Sequence, residues 1–328
     1  MISKDKKFRI LVAEPEGYNP KAISTLGKLG KVYKKGIFEP GFEKILSTAN
    51  VLVIRLGAKV DKKLLNIAKN LKAVATNTTG LNHIDLKETQ KREVAVISLR
   101  GQTDFLRNVR STPELTFALI LSLSRKIPWA FDSVKKGKWD RTKYCGNEIF
   151  GKTLGLLGFG RIGKIMARYG QAFGMKVIAL DPYVSFGKMK KFGVKKVDVN
   201  KLFGDSDILS VHALHTSQTE KLVKEKHFKL MKPTSLFINT ARGELIDEKA
   251  LLTALKHGWI KGAALDVVRN EDPQGSHLKD SPLLDYARSH ENLIIVPHLG
   301  GATLEAWQAT EEFLANLVEQ HFSEYGNK

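Results

Sequence analysis

The sequence predicts an α/β chain built from two doubly wound parallel-sheet domains. Three observations carry that expectation. At 328 residues the chain exceeds what one hydrophobic core usually organises. Short runs rich in Val and Ile alternate with helix-like stretches, the rhythm of strands joined by crossover helices. That rhythm runs twice, on either side of a helical segment of different character.

The first series of strands is read at "FRILVA" (8–13), "NVLVIRLG" (50–57), "LKAVATN" (71–77) and "VAVIS" (94–98), with "FEKILSTA" and "KKLLNIAKN" as intervening helices. The segment "RSTPELTFALILSLSRKI" follows. Thr112 is its expected N-cap, Pro113 stands at the first helical position, and Glu114 complements the helix dipole. From Leu115 to Leu123 this helix is apolar nearly all round, so it requires cover on more than one side, which a symmetric homodimer interface would supply. From Thr153 the second series runs "TLGLLG", "KVIALD", "DILSVH", "SLFIN", "KGAALD" and "NLIIV". The stretch from Leu304 to Phe322 reads as one amphipathic helix.

Composition narrows the function classes. No apolar run approaches the roughly 20 residues of a membrane span, and the apolar run Ile10 to Ala13 near the start is too short for a secretory signal, so an intracellular, cytoplasmic protein is expected. The single cysteine, Cys145, excludes an internal disulfide framework and a thiolate metal cluster, and no metal is expected. The net charge of +19 raises nucleic acid as a partner. The surplus is spread, however, with 20 Lys+Arg against 9 Asp+Glu in residues 1–100 and 33 against 25 afterwards, and no basic tail. Clusters such as "KVYKK" and "KKFGVKK" read as solvated faces, and an electrostatic funnel for small anions is preferred to a nucleic-acid surface.

In "LGLLGFGRIGKIMARYG" the residues Gly158, Gly160 and Gly163 have the G-x-G-x-x-G spacing, after an apolar strand and at the opening of a helix. In that context the glycines serve a tight turn, close backbone approach to a pyrophosphate and helix–strand contact, while the helix N-terminus at Arg161 and Ile162 offers amides to the anion. The next strand ends at Asp181, where a carboxylate accepts ribose hydroxyls and repels a 2′-phosphate, so NAD is expected over NADP. Three further strand ends deliver Arg242 in "SLFINTARGELIDEKAL", Asp266 and Glu271 in "GAALDVVRNEDP", and His298 in "IIVPHLGG".

Together the signatures "GKTLGLLGFGRIG", "NTARGELIDEKAL", "ALDVVRNE" and "PHLGGAT" resemble the D-2-hydroxyacid dehydrogenase family, over nearly the whole chain. The resemblance implies a Rossmann cofactor domain (103–298) inserted into a flavodoxin-like substrate domain (1–102 and 299–328). It implies a catalytic trio of Arg242, Glu271 and His298. A neutral imidazole can take the proton of a 2-hydroxy acid's hydroxyl as hydride leaves, a neighbouring carboxylate favours the protonated ring, and a guanidinium fork holds the substrate carboxylate. By the same matching, Gly80 and Leu81 of "NTTGLNHIDL" offer amides to the substrate. Thr79, Thr112, Ala213, Thr240, Ala241, Asp266, Gly300 and Gly301 line the cofactor, Asp266 accepting from its carboxamide and the glycines letting the nicotinamide approach His298. The chain departs from the family pattern in "HALH" (212–215), which lacks the usual proline, and in Asp272, which separates Glu271 from Pro273 and makes Asp272 an alternative acid. Arg55 and Asn108, in "VLVIRLGAKV" and "RNVRSTPEL", occupy positions where phosphoglycerate dehydrogenases contact substrate, so 3-phosphoglycerate is the best single substrate. Glyoxylate, hydroxypyruvate or another 2-keto acid is the alternative, and an NAD(H)-responsive regulatory protein is the alternative of another class.

Overall fold

A computed structural model of the chain describes residues 8–272 and 274–325; Pro273 and the opening residues 1–7 lie outside them. The chain divides into two compact units, one running up to Val109 and resuming at Thr303, the other Arg110–Ala302.

The first unit is a parallel sheet of β1 (Phe8–Val12), β2 (Gly30–Lys34), β3 (Val51–Ile54), β4 (Ala73–Thr76) and β5 (Ala95–Ser98), in the order β2-β1-β3-β4-β5. That order is the flavodoxin-like one, with its reversal between β1 and β3. Alternate residues of β1 face opposite layers: Ile10 and Val12 enter the core completed by Leu314, Val318 and Phe322, while Leu11 enters the core around Phe42, Leu46 and Leu65. The helices α1 (Pro20–Gly27), α2 (Phe42–Leu46), α3 (Lys62–Ile67) and α4 (Leu86–Lys91) make the crossovers, and α5 (Thr103–Leu106) follows β5. Asn19, Asp61 and Asp85 cap α1, α3 and α4 by accepting amides from Lys21, Leu64 and Lys87.

The second unit opens with α6 (Ser111–Ser124) and α7 (Ile127–Lys135). It continues through β6 (Thr153–Leu157), α8 (Arg161–Ala172), β7 (Lys176–Leu180), α9 (Phe186–Lys190), β8 (Lys195–Lys196), α10 (Val199–Asp205), β9 (Ile208–Val211), α11 (Glu225–Phe228), β10 (Leu236–Asn239), α12 (Glu248–Lys256), β11 (Gly262–Leu265), α13 (Pro282–Ser289) and β12 (Leu293–Ile295). The last helix, α14 (Leu304–Tyr325), returns to the first unit and packs on α1. The parallel sheet order β12-β11-β10-β9-β6-β7-β8 is the Rossmann order extended by one strand, with its reversal between β6 and β9.

Three local expectations are refined. Residues of "KVYKK" and "KKFGVKK" lie in β2 and β8, the outer strands of the two sheets, where lysines discourage a further strand from pairing. Arg110, not Thr112, is the N-cap residue of α6; Thr112 lies in the first turn and donates its hydroxyl to Gly300 O at 2.9 Å. The apolar helix is covered largely by its own unit: Phe117, Leu119, Ile120 and Leu123 are buried, and the Phe117 ring meets Tyr169 and Phe173. Exposed apolar side chains next to it include Phe173 and, on α7, Ile127, Phe131 and Val134.

Candidate active site

In the second unit, the carboxyl ends of β6, β7, β9, β10, β11 and β12 carry the residues singled out in the sequence. The turn after β6 requires glycine at 158: its φ is +100°, and a Cβ there would lie 2.7 Å from the His212 backbone carbonyl. At Gly163 a Cβ would meet Gly158 O at 2.4 Å, which lets α8 approach the strand. At Gly160 it would meet nothing within 4 Å among the described residues. Gly160 caps α8 without a side chain, so the amides of the first turn are directed into that open space. Asp181 stands over the same loop and accepts Phe159 N at 2.8 Å and Tyr183 N at 2.9 Å. Burial, and secondarily the Arg110 charge, lower the pKa of Arg161 in the first turn of α8. A glycine cradle, an uncapped helix start and a carboxylate at the second strand suit a dinucleotide whose ribose carries free hydroxyls.

Beyond β9, burial pushes the His212 ring down to about 3, so it is neutral near pH 7; its Nε2 pairs with Ser210 Oγ at 2.9 Å. Ala213 follows it. The turn after β10 is built by Asn239, which is fully buried, accepts Ala241 N at 3.0 Å and donates to Arg242 O at 2.9 Å. Thr240 is fixed by Thr116 of α6, the two hydroxyls 2.8 Å apart. Neither Asn239 nor Thr116 stood out in the sequence; the only signals were an Asn ending an apolar strand and a Thr inside an apolar helix.

Asp266, buried at the end of β11, accepts Leu299 N at 2.6 Å and Gly300 N at 2.9 Å, while its own carbonyl accepts His298 N at 2.9 Å. One residue therefore organises the loop that carries the histidine. A Cβ at Gly300 would lie 2.8 Å from Asp266 Oδ2, so this glycine permits the Asp266 contact, and no described residue lies within 4 Å of a Cβ at Gly301. Burial pushes Asp266 up to about 6, with the Glu271 charge adding, against the His298 charge and the two amides.

His298 Nδ1 meets Glu271 Oε2 at 2.5 Å, and Glu271 Oε1 accepts Val268 N at 2.9 Å. Burial raises the Glu271 pKa. The His298 bond and charge, the Val268 amide and the Arg242 charge outweigh it and hold the carboxyl below its ordinary range. Asp272, the alternative acid, instead accepts the amides of Gln274 and Ser276. Arg242 donates to Ala241 O at 2.7 Å. Burial lowers the Arg242 pKa, opposed by the charges of Glu271, Glu244 and Asp266. Guanidinium, carboxylate and imidazole thus gather at one edge of one sheet. With Nδ1 held by Glu271, Nε2 is the nitrogen left to exchange a proton with a ligand.

The remaining candidates lie in the first unit. Arg55 follows β3, and its carbonyl accepts the Thr76 hydroxyl at 3.3 Å. Its guanidinium is engaged: Nε and Nη2 donate to Glu311 Oε1 at 2.8 and 2.5 Å, Nη1 to Glu16 O at 3.1 Å, and its face lies over Trp307 and Tyr18. Glu311 is fully buried and also accepts Asn19 N at 2.7 Å. In the loop after β4, Leu81 is buried and Thr78 donates to Gly80 O at 2.7 Å, while Thr79 and Asn108 are exposed.

Residues 117–300 match the family model described as "D-isomer specific 2-hydroxyacid dehydrogenase, NAD binding domain". A D-3-phosphoglycerate dehydrogenase of Methanocaldococcus jannaschii is 36% identical over 314 residues, covering 95% of this chain and 57% of its own length. One of Bacillus subtilis is 38% identical over 315 residues, 94% of this chain and 56% of its own. The chain thus spans about half the length of the curated relatives it matches. A D-lactate dehydrogenase of Aquifex aeolicus, solved with NAD and lactic acid, superposes with a TM-score of 0.81 at 28% identity over 96% of both chains. The chain belongs to the D-isomer specific 2-hydroxyacid dehydrogenase family.

Proposed function

We propose that the protein is an NAD-dependent dehydrogenase that transfers hydride between the nicotinamide and the carbon of a D-2-hydroxy acid or its 2-keto acid. The observation that carries this reading is the 2.5 Å contact of His298 Nδ1 with Glu271, beside the Arg242 guanidinium and on the same sheet edge as the glycine loop. When bound, NADH supplies the hydride. The side chains do the rest: Arg242 holds the substrate carboxylate and polarises the carbonyl, and His298 Nε2 delivers the proton to the carbonyl oxygen. Glu271 stabilises the imidazolium from which that proton comes. Asp266 fixes the His298 loop and presents oxygen to the cofactor's carboxamide. Thr112, Ala213, Thr240, Ala241 and Gly301 border the cofactor, and Asp181 selects NAD.

Among substrates, 3-phosphoglycerate has the support of the curated relatives' names. Gly80, Leu81, Asn108 and Arg55 are the proposed contacts, and phosphate recognition by Arg55 requires its pair with Glu311 to open. The test is NADH oxidation against a panel of 2-keto acids with and without phosphate, hydroxypyruvate and glyoxylate included. Arg242→Ala should lower turnover on the best substrate by about 100- to 1,000-fold while NADH affinity is kept, the size expected of a lost charge-stabilising donor. Unchanged turnover would remove Arg242 from its role.

We further propose a homodimer through the α6 region, Leu115–Leu123, extended by the exposed Ile127, Phe131 and Val134 of α7.

A further inference from the structure

We propose that Arg269 is a positioning residue that clamps the loop carrying Glu271 and Asp266 to the element carrying Arg242; this rests on the reading above. The loop 266–271 leaves β11 with its first residue, Asp266, bonded to the His298 loop, and Asn270 near its far end is left-handed at φ +55°. Arg269 ties it to three other elements. Its amide donates to Glu248 Oε1 at 2.7 Å, at the start of α12. Its Nη1 donates to Glu244 O at 3.3 Å, within the 3-10 turn Gly243–Leu245 that Arg242 opens. Its Nη2 donates to Glu220 Oε1 at 2.7 Å, in the segment that follows β9.

The backbone beneath the clamp is close-packed. A Cβ at Gly243 would lie 2.0 Å from the Val268 carbonyl carbon and 2.5 Å from Arg269 N, so the Arg242 turn and the Glu271 loop touch directly. Glu220 is itself anchored, since its second oxygen pairs with His215 Nε2 at 2.7 Å and Lys221 N donates to Glu244 O at 2.8 Å. The catalytic guanidinium and carboxylate approach from separate strands, and Arg269 is a side chain that spans both supports. A lysine cannot reproduce this, because the contacts to Glu244 O and Glu220 use two nitrogens of one planar fork.

The groups facing Glu271 are His298, Arg242, Asp266 and the Val268 amide. Loosening the loop weakens the stabilising contacts of His298, Arg242 and Val268, so the Glu271 carboxyl should titrate at higher pH. In Arg269→Ala we expect kcat to fall roughly 10- to 100-fold, as for an ångström-scale misplacement of a reacting group. NADH affinity should stay within about twofold, and Arg269→Lys should fail to restore kcat. The carboxyl resonance of Glu271, followed by carbon-13 NMR in the full chain without substrate, should move its midpoint upward. Glu220→Gln, which leaves the backbone contacts intact, should shift both readouts in the same direction by less and keeps the test open if Arg269→Ala does not fold. An unchanged kcat together with an unchanged Glu271 midpoint overturns the clamp. The NMR arm needs no turnover, so a clamp that holds in a protein inactive on every 2-keto acid would count against the proposed function alone.

Discussion

His298 sits in the left-handed region at φ +54°, a conformation that costs a non-glycine residue free energy and persists only where surrounding contacts impose it. Here those contacts are the Asp266 carbonyl and carboxylate, which hold the amides of His298, Leu299 and Gly300. Asp266 leaves a measurable trace in the stability of the fold. Its pKa rises from 3.8 to about 6, so the folded state binds this proton more tightly than the unfolded chain. That contribution is complete below about pH 4 and is lost as pH rises through about 6. The difference in Tm between the parent and Asp266→Asn should therefore move against the parent from pH 4 to pH 7; parallel curves would contradict the assignment. The strand-end placement of Arg242, Glu271 and His298 was legible in the sequence because each follows an apolar strand within a distinctive motif. The Arg55–Glu311 pair was not, since it joins residues 256 apart and neither motif names the other.

At the scale of elements, the glycine loop separates two demands that the spacing alone merges. Gly163 is required by packing, because its Cβ would strike Gly158 O, whereas the space at Gly160 is open. Gly163→Ala should destabilise the protein by about 1–3 kcal/mol, as overpacking does. Gly160→Ala should cost about 1 kcal/mol or less yet weaken NADH binding at least about tenfold, by placing a methyl group where the pyrophosphate approaches. Melting curves and NADH titrations of the two variants separate these effects, and equal NADH affinity in parent and Gly160→Ala would refute the cradle. The buried strands were readable as apolar runs, but β2 and β8 were not. An outer strand need bury little of its surface, so lysine-rich stretches form strands there without an apolar signature, and only the pairing partner reveals them. Thr112 misled for a related reason: its hydroxyl serves Gly300 O, 188 residues away, instead of the helix start.

For the whole molecule, the repeated strand rhythm predicted two doubly wound units, and both strand orders bear it out, each with its reversal where such sheets bind ligands. What covers α6 could not be read from its own composition, because an all-round apolar helix is satisfied equally by its own domain or by a second copy. Light scattering at micromolar concentration should give about twice the 36.6 kDa chain mass, and Phe131→Glu should shift the protein to the single-chain mass; a monomeric parent would reject the dimer. The central claim is that an imidazole held by a carboxylate, beside a guanidinium and a nucleotide loop, passes a proton while hydride moves to or from the acid. The measurement that tests it most directly is cofactor oxidation with the best 2-keto acid, using NADH and NADPH in turn, in the parent and in His298→Gln. The account predicts turnover with NADH well above that with NADPH, and a loss of at least about 100-fold in the variant. No 2-keto acid oxidising NADH, or equal rates in parent and variant, would contradict it.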